Sequence, residues 1–175
     1  MIWCEKRKAE MEIESGAIKL VLKSVDEVRK FVETIPETDR EHVSPNWLNA
    51  VLDATVADPW WHGFHVVRLS DNEPVGHCGF KGPPVDGCVE IAYMTEEAFR
   101  GHGFATESAI TLANHALSQN TVTKVRAHTL PDHSASIRVL EKAGFIELGE
   151  VVDPEDGKVL RFEKTRLSKK NSRPQ

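Results

Sequence analysis

The run Arg100-Gly101-His102-Gly103-Phe104-Ala105-Thr106 lies between a strand-like segment, Val89 to Met94, and a stretch in which apolar residues recur at helical spacing. Its glycines let the backbone turn tightly and come close to a ligand. Where such a turn opens a helix, unpaired N–H groups and the positive end of the helix dipole favour a phosphate or pyrophosphate. Ala105, Ala109, Leu112, Ala113, Ala116 and Leu117 supply the apolar face that makes a helix the expected continuation. The chemistry on offer is anion binding, mostly through main-chain amides.

Two phosphate-loop readings can be checked against the letters. A Walker loop needs Gly-Lys-Ser/Thr after its spacer, whereas this chain has Gly103-Phe104-Ala105. A dinucleotide fingerprint needs a third glycine where Thr106 stands, and a carboxylate that Lys124 to His128 does not supply. A nucleotide-binding protein is therefore disfavoured.

The spacing of Arg100, Gly103 and Ala105 resembles the acetyl-CoA-binding motif of the GNAT N-acetyltransferase family, in which Arg or Gln is followed by two residues, Gly, one residue and Gly or Ala. A second signature of that family falls in register at Ser136, Val139, Leu140, Glu141, Lys142, Gly144 and Phe145. The resemblance covers roughly Phe64 to Glu163. Val89 to Tyr93, Arg100 to Glu107 and Arg138 to Phe145 are most similar to the branch of ribosomal-protein alanine N-acetyltransferases.

The resemblance implies transfer of acetyl from acetyl-CoA, a co-substrate, to a primary amine by direct attack in a ternary complex. The acceptor would be a protein N-terminus or a small-molecule amine. An alkylamine with a pKa of about 10 is protonated at neutral pH and must lose a proton before it attacks a thioester. By its Glu-Ile context, Glu90 is the implied base, with burial raising its pKa; a carboxylate facing solvent or paired with an arginine is the competing reading. Departure of the thiolate needs a donor near sulfur. Many family members place a tyrosine there, but this chain has Leu140, which shifts the role to Ser136. That serine could equally satisfy amides at a helix N-terminus.

The resemblance also assigns the cofactor contacts. The main chain of Tyr93, Met94 and Thr95 would pair with pantetheine and polarise the thioester carbonyl. Arg100 would secure the loop or reach phosphate, and Gly101, His102, Gly103, Phe104, Ala105 and Thr106 would surround the pyrophosphate. His133 replaces the motif's asparagine and would donate to a pantetheine carbonyl, a contact sensitive to pH because imidazole titrates at about 6.5. Trp47, Trp60, Trp61 and Phe64 fall on the family's acceptor side, as groove walls or as core. His62 and His65 suggest a metal, but with strand alternation they point to different faces and have no obvious third ligand, so no metal is expected. With the tyrosine missing, an acyl-CoA-binding regulatory module without transfer activity is the alternative.

The elements that must position these residues read as follows. Ile18 to Leu22 is a strand, and Ser24-Val25-Asp26-Glu27 a capping box for a helix through about Glu33, with Val28, Phe31, Val32 and Ile35 on one face. Pro36 breaks that helix, and Pro45 opens a second one carrying Leu48, Val51 and Leu52. Phe64 to Arg68 and Val75 to Phe80 form a hairpin around Ser70 to Glu73. The central strand, the glycine loop with its helix, a strand Lys124 to His128 and a helix capped by Gly144 follow. Phe145 to Val152 and Lys158 to Glu163 make a last hairpin. The fold class is α/β (α+β): the resemblance implies one mixed, mostly antiparallel twisted sheet of about seven strands flanked by about four helices.

The sequence has 175 residues, 40% hydrophobic and 28% charged, which suits one domain able to bury a substantial core. We read residues 1–10 as an N-terminal extension, 11–164 as the acetyltransferase domain and 165–175 as a polar tail. A formal charge of −5 argues against nucleic acid, whose binding rests on Lys and Arg, and fits either a cationic acceptor or simple solubility. Cys4, Cys78 and Cys88 have neither disulfide nor zinc-site spacing. No run approaches the about 18 apolar residues of a membrane span, and Met1 to Lys6 lacks a signal peptide's pattern. A cytoplasmic monomer or homodimer is expected.

Overall fold

The computed structural model describes residues 11–154 and 157–166. The extension 1–10, Cys4, part of the last turn and the tail beyond 166 lie outside the described residues. Eight strands form one sheet: β1 (Glu12–Ser15), β2 (Ile18–Leu22), β3 (Phe64–Arg68), β4 (Pro74–Phe80), β5 (Cys88–Thr95), β6 (Lys124–Thr129), β7 (Ile146–Asp153) and β8 (Gly157–Thr165). Their order is β1-β2-β3-β4-β5-β6-β8-β7. Only β5 and β6 are parallel; the other neighbours are antiparallel. The helices are α1 (Val25–Thr34), α2 (Pro45–Asp53), the single turn α3 (Pro59–His62), α4 (Phe104–Ser118) and α5 (Ser134–Lys142).

The local signals in the sequence have clear counterparts. Ser24 Oγ accepts the Glu27 amide at 3.3 Å while Glu27 Oε2 accepts the Ser24 amide at 2.7 Å, so the box satisfies two donors of α1 at once. Ser44 caps α2 ahead of Pro45, whose missing N–H costs nothing at the first helical position. At the end of α5, Gly144 adopts φ +80°, the Phe145 amide donates to Leu140 O and the Gly144 amide to Glu141 O. This is the paired hydrogen-bond pattern that a left-handed glycine allows.

Among the described residues there is one more strand and one more helix than the sequence suggests. Strand β1 carries Ile13 as its one clearly apolar residue and is held by pairing with β2. The turn α3 begins at Pro59 and is capped by Asp58, whose side chain accepts the Trp60 amide at 2.8 Å. Two apolar assignments also change. Val28, Val32 and Val51 pack between α1 and α2, whereas Phe31 is 58% exposed and Leu52 46% exposed.

The main core lies between the sheet and the long helix. Ile18, Leu20 and Leu22 of β2, Phe64 and Val66 of β3, and Val89 and Ile91 of β5 meet Phe104, Ala109, Leu112, Ala113 and Ala116 of α4. Each fully buried large residue such as Leu112 contributes about 1.5–3 kcal/mol. This packing fixes the N-terminus of α4 over the end of β5.

The register opens the sheet beside β5. The β5–β6 ladder contains only Cys88↔Lys124, Val89↔Val125 and Glu90↔Arg126. Beyond Glu90, β5 stays paired to β4 as far as Thr95, and β6 stays paired to β8 as far as Thr129. The two strands therefore part as a fork, and the edge of β5 from Ile91 to Thr95 faces a gap instead of a neighbouring strand.

Candidate functional site

A cleft of about 470 Å³ opens where the fork widens. The end of β5 supplies Tyr93, Met94 and Thr95, and the glycine loop supplies Arg100, Gly101 and Gly103. The first turn of α4 adds Phe104, Ala105 and Thr106, while His133, the cap residue of α5, and Ser136 in its first turn close the cleft. The structure thus brings most of the expected cofactor contacts around one space. Gly101 at φ +82° and Gly103 at φ +87° are both left-handed, and a Cβ built on either would meet nothing within 4 Å. Their bare backbone faces open space beside the N-terminus of α4, where donors lack intrahelical partners.

The other loop residues brace this shape. Arg100 Nε donates to Thr95 O at 3.5 Å, so its side chain ties the loop to β5. His102 is not on the cleft wall. Its Nδ1 donates to the carbonyls of Arg100 (3.0 Å) and Phe99 (3.2 Å), and its ring stacks on Phe104. Glu107, one turn into α4, accepts the Ala17 amide at 2.9 Å and anchors the helix to the β1–β2 turn.

Sequence reasoning missed Phe99, Ala135, Arg138, Val139 and Lys142, which also line the cleft. Arg138 and Lys142 matter most, because residues one helical turn apart present two cations from the same face of α5. Their i, i+4 spacing was visible, but nothing local said which face of α5 would meet the loop.

Tyr93 and Ser136 meet inside the cleft. The Tyr93 hydroxyl lies 3.0 Å from Ser136 Oγ, and burial pushes the phenol's pKa up. The serine hydroxyl is engaged across the cleft, while the Ser136 amide donates to His133 O at 3.0 Å. Leu140, at the position of the family's tyrosine, is fully buried in the core.

Glu90 lies outside this cleft. It occupies the last paired rung of the fork, and strand alternation turns it to the face of β5 opposite Tyr93. Glu90 Oε1 is 3.0 Å from Lys81 Nζ and accepts from His128 Nδ1 at 3.2 Å. The His128 side chain is only 8% exposed, with Asp153 Oδ2 at 3.9 Å from the same nitrogen. A merely structural Glu90 is expected to face solvent or to pair with an arginine; the carboxylate instead pairs with a lysine and a histidine.

The aromatic set gathers around α3 and Phe80 of β4, away from the cleft. Phe64 is fully buried in the main core, which corrects its expected place on an acceptor wall. Trp60 packs on Phe80 with ring centroids 4.7 Å apart. Trp47 Nε1 of α2 donates to Trp61 O at 2.9 Å beside the α1–α2 seam, and an ideal Cβ at Gly82 would crowd the Trp61 ring. None of the four lines the cleft. His62 is buried with Nδ1 accepting the Asp58 amide, and His65 turns to Glu27. Among the described residues no group of His, Cys, Asp and Glu is arranged to hold a metal ion, and no helix is long and apolar enough to cross a membrane.

Comparison with known proteins gives a consistent picture. The model of the acetyltransferase (GNAT) domain matches residues 12–146, most of the chain. YjdG, an uncharacterised N-acetyltransferase of Bacillus subtilis (strain 168), is 39% identical over 82 residues. That match spans 46% of this chain and 49% of YjdG, about half of either protein. The structure of RimL, a ribosomal L7/L12 alpha-N-protein acetyltransferase in complex with coenzyme A, superposes with a TM-score of 0.65 at 18% identity, covering 89% of this chain and 98% of that one. The aminoglycoside acetyltransferase AAC(6')-Ib in complex with coenzyme A gives a TM-score of 0.59 at 21% identity, covering 85% and 95%. At these identities the likeness to the two structures is one of fold.

Proposed function

The chain belongs to the GNAT acetyltransferase family, and we propose that it moves acetyl from acetyl-CoA to a primary amine by direct attack in a ternary complex. The observation that carries this reading is the cleft itself. Left-handed Gly101 and Gly103 and the N-terminus of α4 would hold the pyrophosphate, with Arg138 and Lys142 as counter-charges from α5. The free edge of β5 at Tyr93 to Thr95 would pair with the pantetheine amides, an added strand's worth of hydrogen bonds in the gap of the fork.

The thioester carbonyl needs a donor as charge develops on its oxygen, and the main chain of β5 in the gap provides one in this reading. On the opposite face, Glu90 takes the proton of the attacking amine. His128 and Lys81 hold its carboxylate in place, and the His128 ring is itself fixed by burial. RimL acts on a ribosomal protein and AAC(6')-Ib is an aminoglycoside acetyltransferase, so both a protein N-terminus and a small amine are supported as acceptors here. We place the reaction in the cytoplasm, where acetyl-CoA is supplied.

The test is release of CoA thiol from acetyl-CoA in the presence of N-terminal peptides, polyamines, aminoglycosides and amino-acid metabolites in turn. Amine-dependent release with one class is the expected result. Tight acetyl-CoA binding with no release by any class would instead favour the regulatory module.

A further inference from the structure

We propose that the Tyr93 hydroxyl is the hydrogen-bond donor to the departing sulfur of CoA, and that Ser136 orients it. The proposal rests on the acetyl-CoA reading above and fills the place that Leu140 vacates. Tyr93 is the only tyrosine in the chain. It projects from the edge of β5 that borders the fork, and its hydroxyl meets Ser136 at 3.0 Å across the cleft. A hydroxyl has one proton to give and two lone pairs to accept with. If Ser136 Oγ–H donates to Tyr93 Oη, the phenol proton is left free to point into the cleft. Ser136 lies in the first turn of α5, where the helix dipole favours nearby negative charge.

Two alternative candidates near the cleft fit less well. Leu140 carries no donor and is sealed in the core. His102 spends its Nδ1 proton on loop carbonyls. Burial raises the Tyr93 pKa, so the phenol keeps its proton throughout the neutral range in which the reaction runs.

The step balances without any further reactant. The amine lone pair forms the new C–N bond, the C–S bond breaks, and its electron pair stays on sulfur. Tyr93 donates a hydrogen bond to that thiolate and keeps its own proton. The proton that completes the CoA thiol is the one lost from the amine nitrogen to Glu90, returned through solvent.

Two readouts test this on the full chain. The first is kcat with the best acceptor: Tyr93→Phe should lower it about 100-fold while the acetyl-CoA affinity changes by about twofold or less, as for loss of one donor aimed at developing charge. The second is the ultraviolet titration of the thiol of bound CoA. In the wild-type protein the bound thiol should titrate below free CoA; Tyr93→Phe should return it toward the free value, and Ser136→Ala should shift it part-way.

CoA bound with a thiol titration unaffected by Tyr93→Phe, together with an unchanged kcat, would overturn the assignment. Should Tyr93→Phe fail to fold, Ser136→Ala decides: an unaltered titration and rate in that variant also overturn it. Wild-type protein that does not bind CoA at all would overturn the cofactor reading as well, so the two failures are told apart.

Discussion

Gly103→Ala separates a glycine needed for folding from one needed for a ligand. Gly103 caps α4 at φ +87°, and an L-residue held in the left-handed region costs about 1–2 kcal/mol. For a chain of this size that is a fall of about 2–8 °C in melting temperature. Gly149, in β7 at φ +98° and not among the residues that line the cleft, also has nothing within 4 Å of its ideal Cβ. Gly149→Ala should therefore lose a similar amount of stability. The two variants should differ only in acetyl-CoA binding, because in the proposed cradle a Cβ added at Gly103 stands where the pyrophosphate approaches the amides. Losing one charge-assisted hydrogen bond of about 1.5–3 kcal/mol weakens binding about 10- to 150-fold. Calorimetric titration of acetyl-CoA into each variant, beside thermal melts without ligand, checks both halves. Equal melts and wild-type affinity in both variants would refute the cradle and leave Gly103 as a backbone device. Alanine serves better than a larger residue, since a β-branched side chain at this φ could unfold the loop and blur the comparison.

Four further outcomes follow from the same geometry. Glu90→Gln should cut kcat about 100-fold or more without altering acetyl-CoA affinity, and a full-rate variant across the pH profile would remove Glu90 as the base. Arg138→Ala and Lys142→Ala should each weaken acetyl-CoA binding by up to about fivefold at low salt, since exposed charge pairs contribute about 0.2–1 kcal/mol; a loss that persists at high salt would contradict an ionic role. Ser24→Ala removes one side of the capping box and should cost about 1 kcal/mol, or about 2–4 °C, with acetyl-CoA binding unchanged by calorimetry. Burial pushes the Cys78 thiol pKa far up, whereas Cys88 is only partly buried. Alkylation followed by peptide mapping should therefore label Cys88 in the native protein and Cys78 only after denaturation.

The parts of this fold that were legible in the sequence are those whose cause is local. Ile18 to Leu22 and Phe64 to Arg68 form strands as expected because alternation and flanking turns define a strand within a few residues. Ser24 with Glu27 and Gly144 with Phe145 are complete hydrogen-bonding devices in a few letters. Strand β1 was not legible because Glu-Ile-Glu-Ser has no period of its own and forms only by pairing with β2. Phe31 and Leu52 follow the helical period yet remain exposed, since α1 and α2 bury a narrow seam against each other. The fork is the largest omission. Whether β5 and β6 stay paired beyond Glu90 depends on what β4 and β8 do to each, and no window of sequence contains all four.

Strand β5 shows why the residues that line the cleft could be read more easily than the chemistry of their side chains. A motif fixes which backbone lines the cleft, and the cradle needs little more than glycines and a helix start. A catalytic role depends on which way a side chain points and what stands opposite. Glu90 and Tyr93 lie on one strand, but alternation sends them to opposite faces, one toward His128 and the other toward Ser136. Ser136 and Leu140 lie one turn apart on α5, yet one reaches the cleft and the other is sealed beneath it. A hydroxyl missing from the helix can therefore be supplied from the facing strand without moving the cofactor. Substitution at the motif's tyrosine position removes that residue but leaves the requirement for a donor at sulfur intact, and in our proposal the Tyr93 hydroxyl of β5 meets it with Ser136 of α5 behind it.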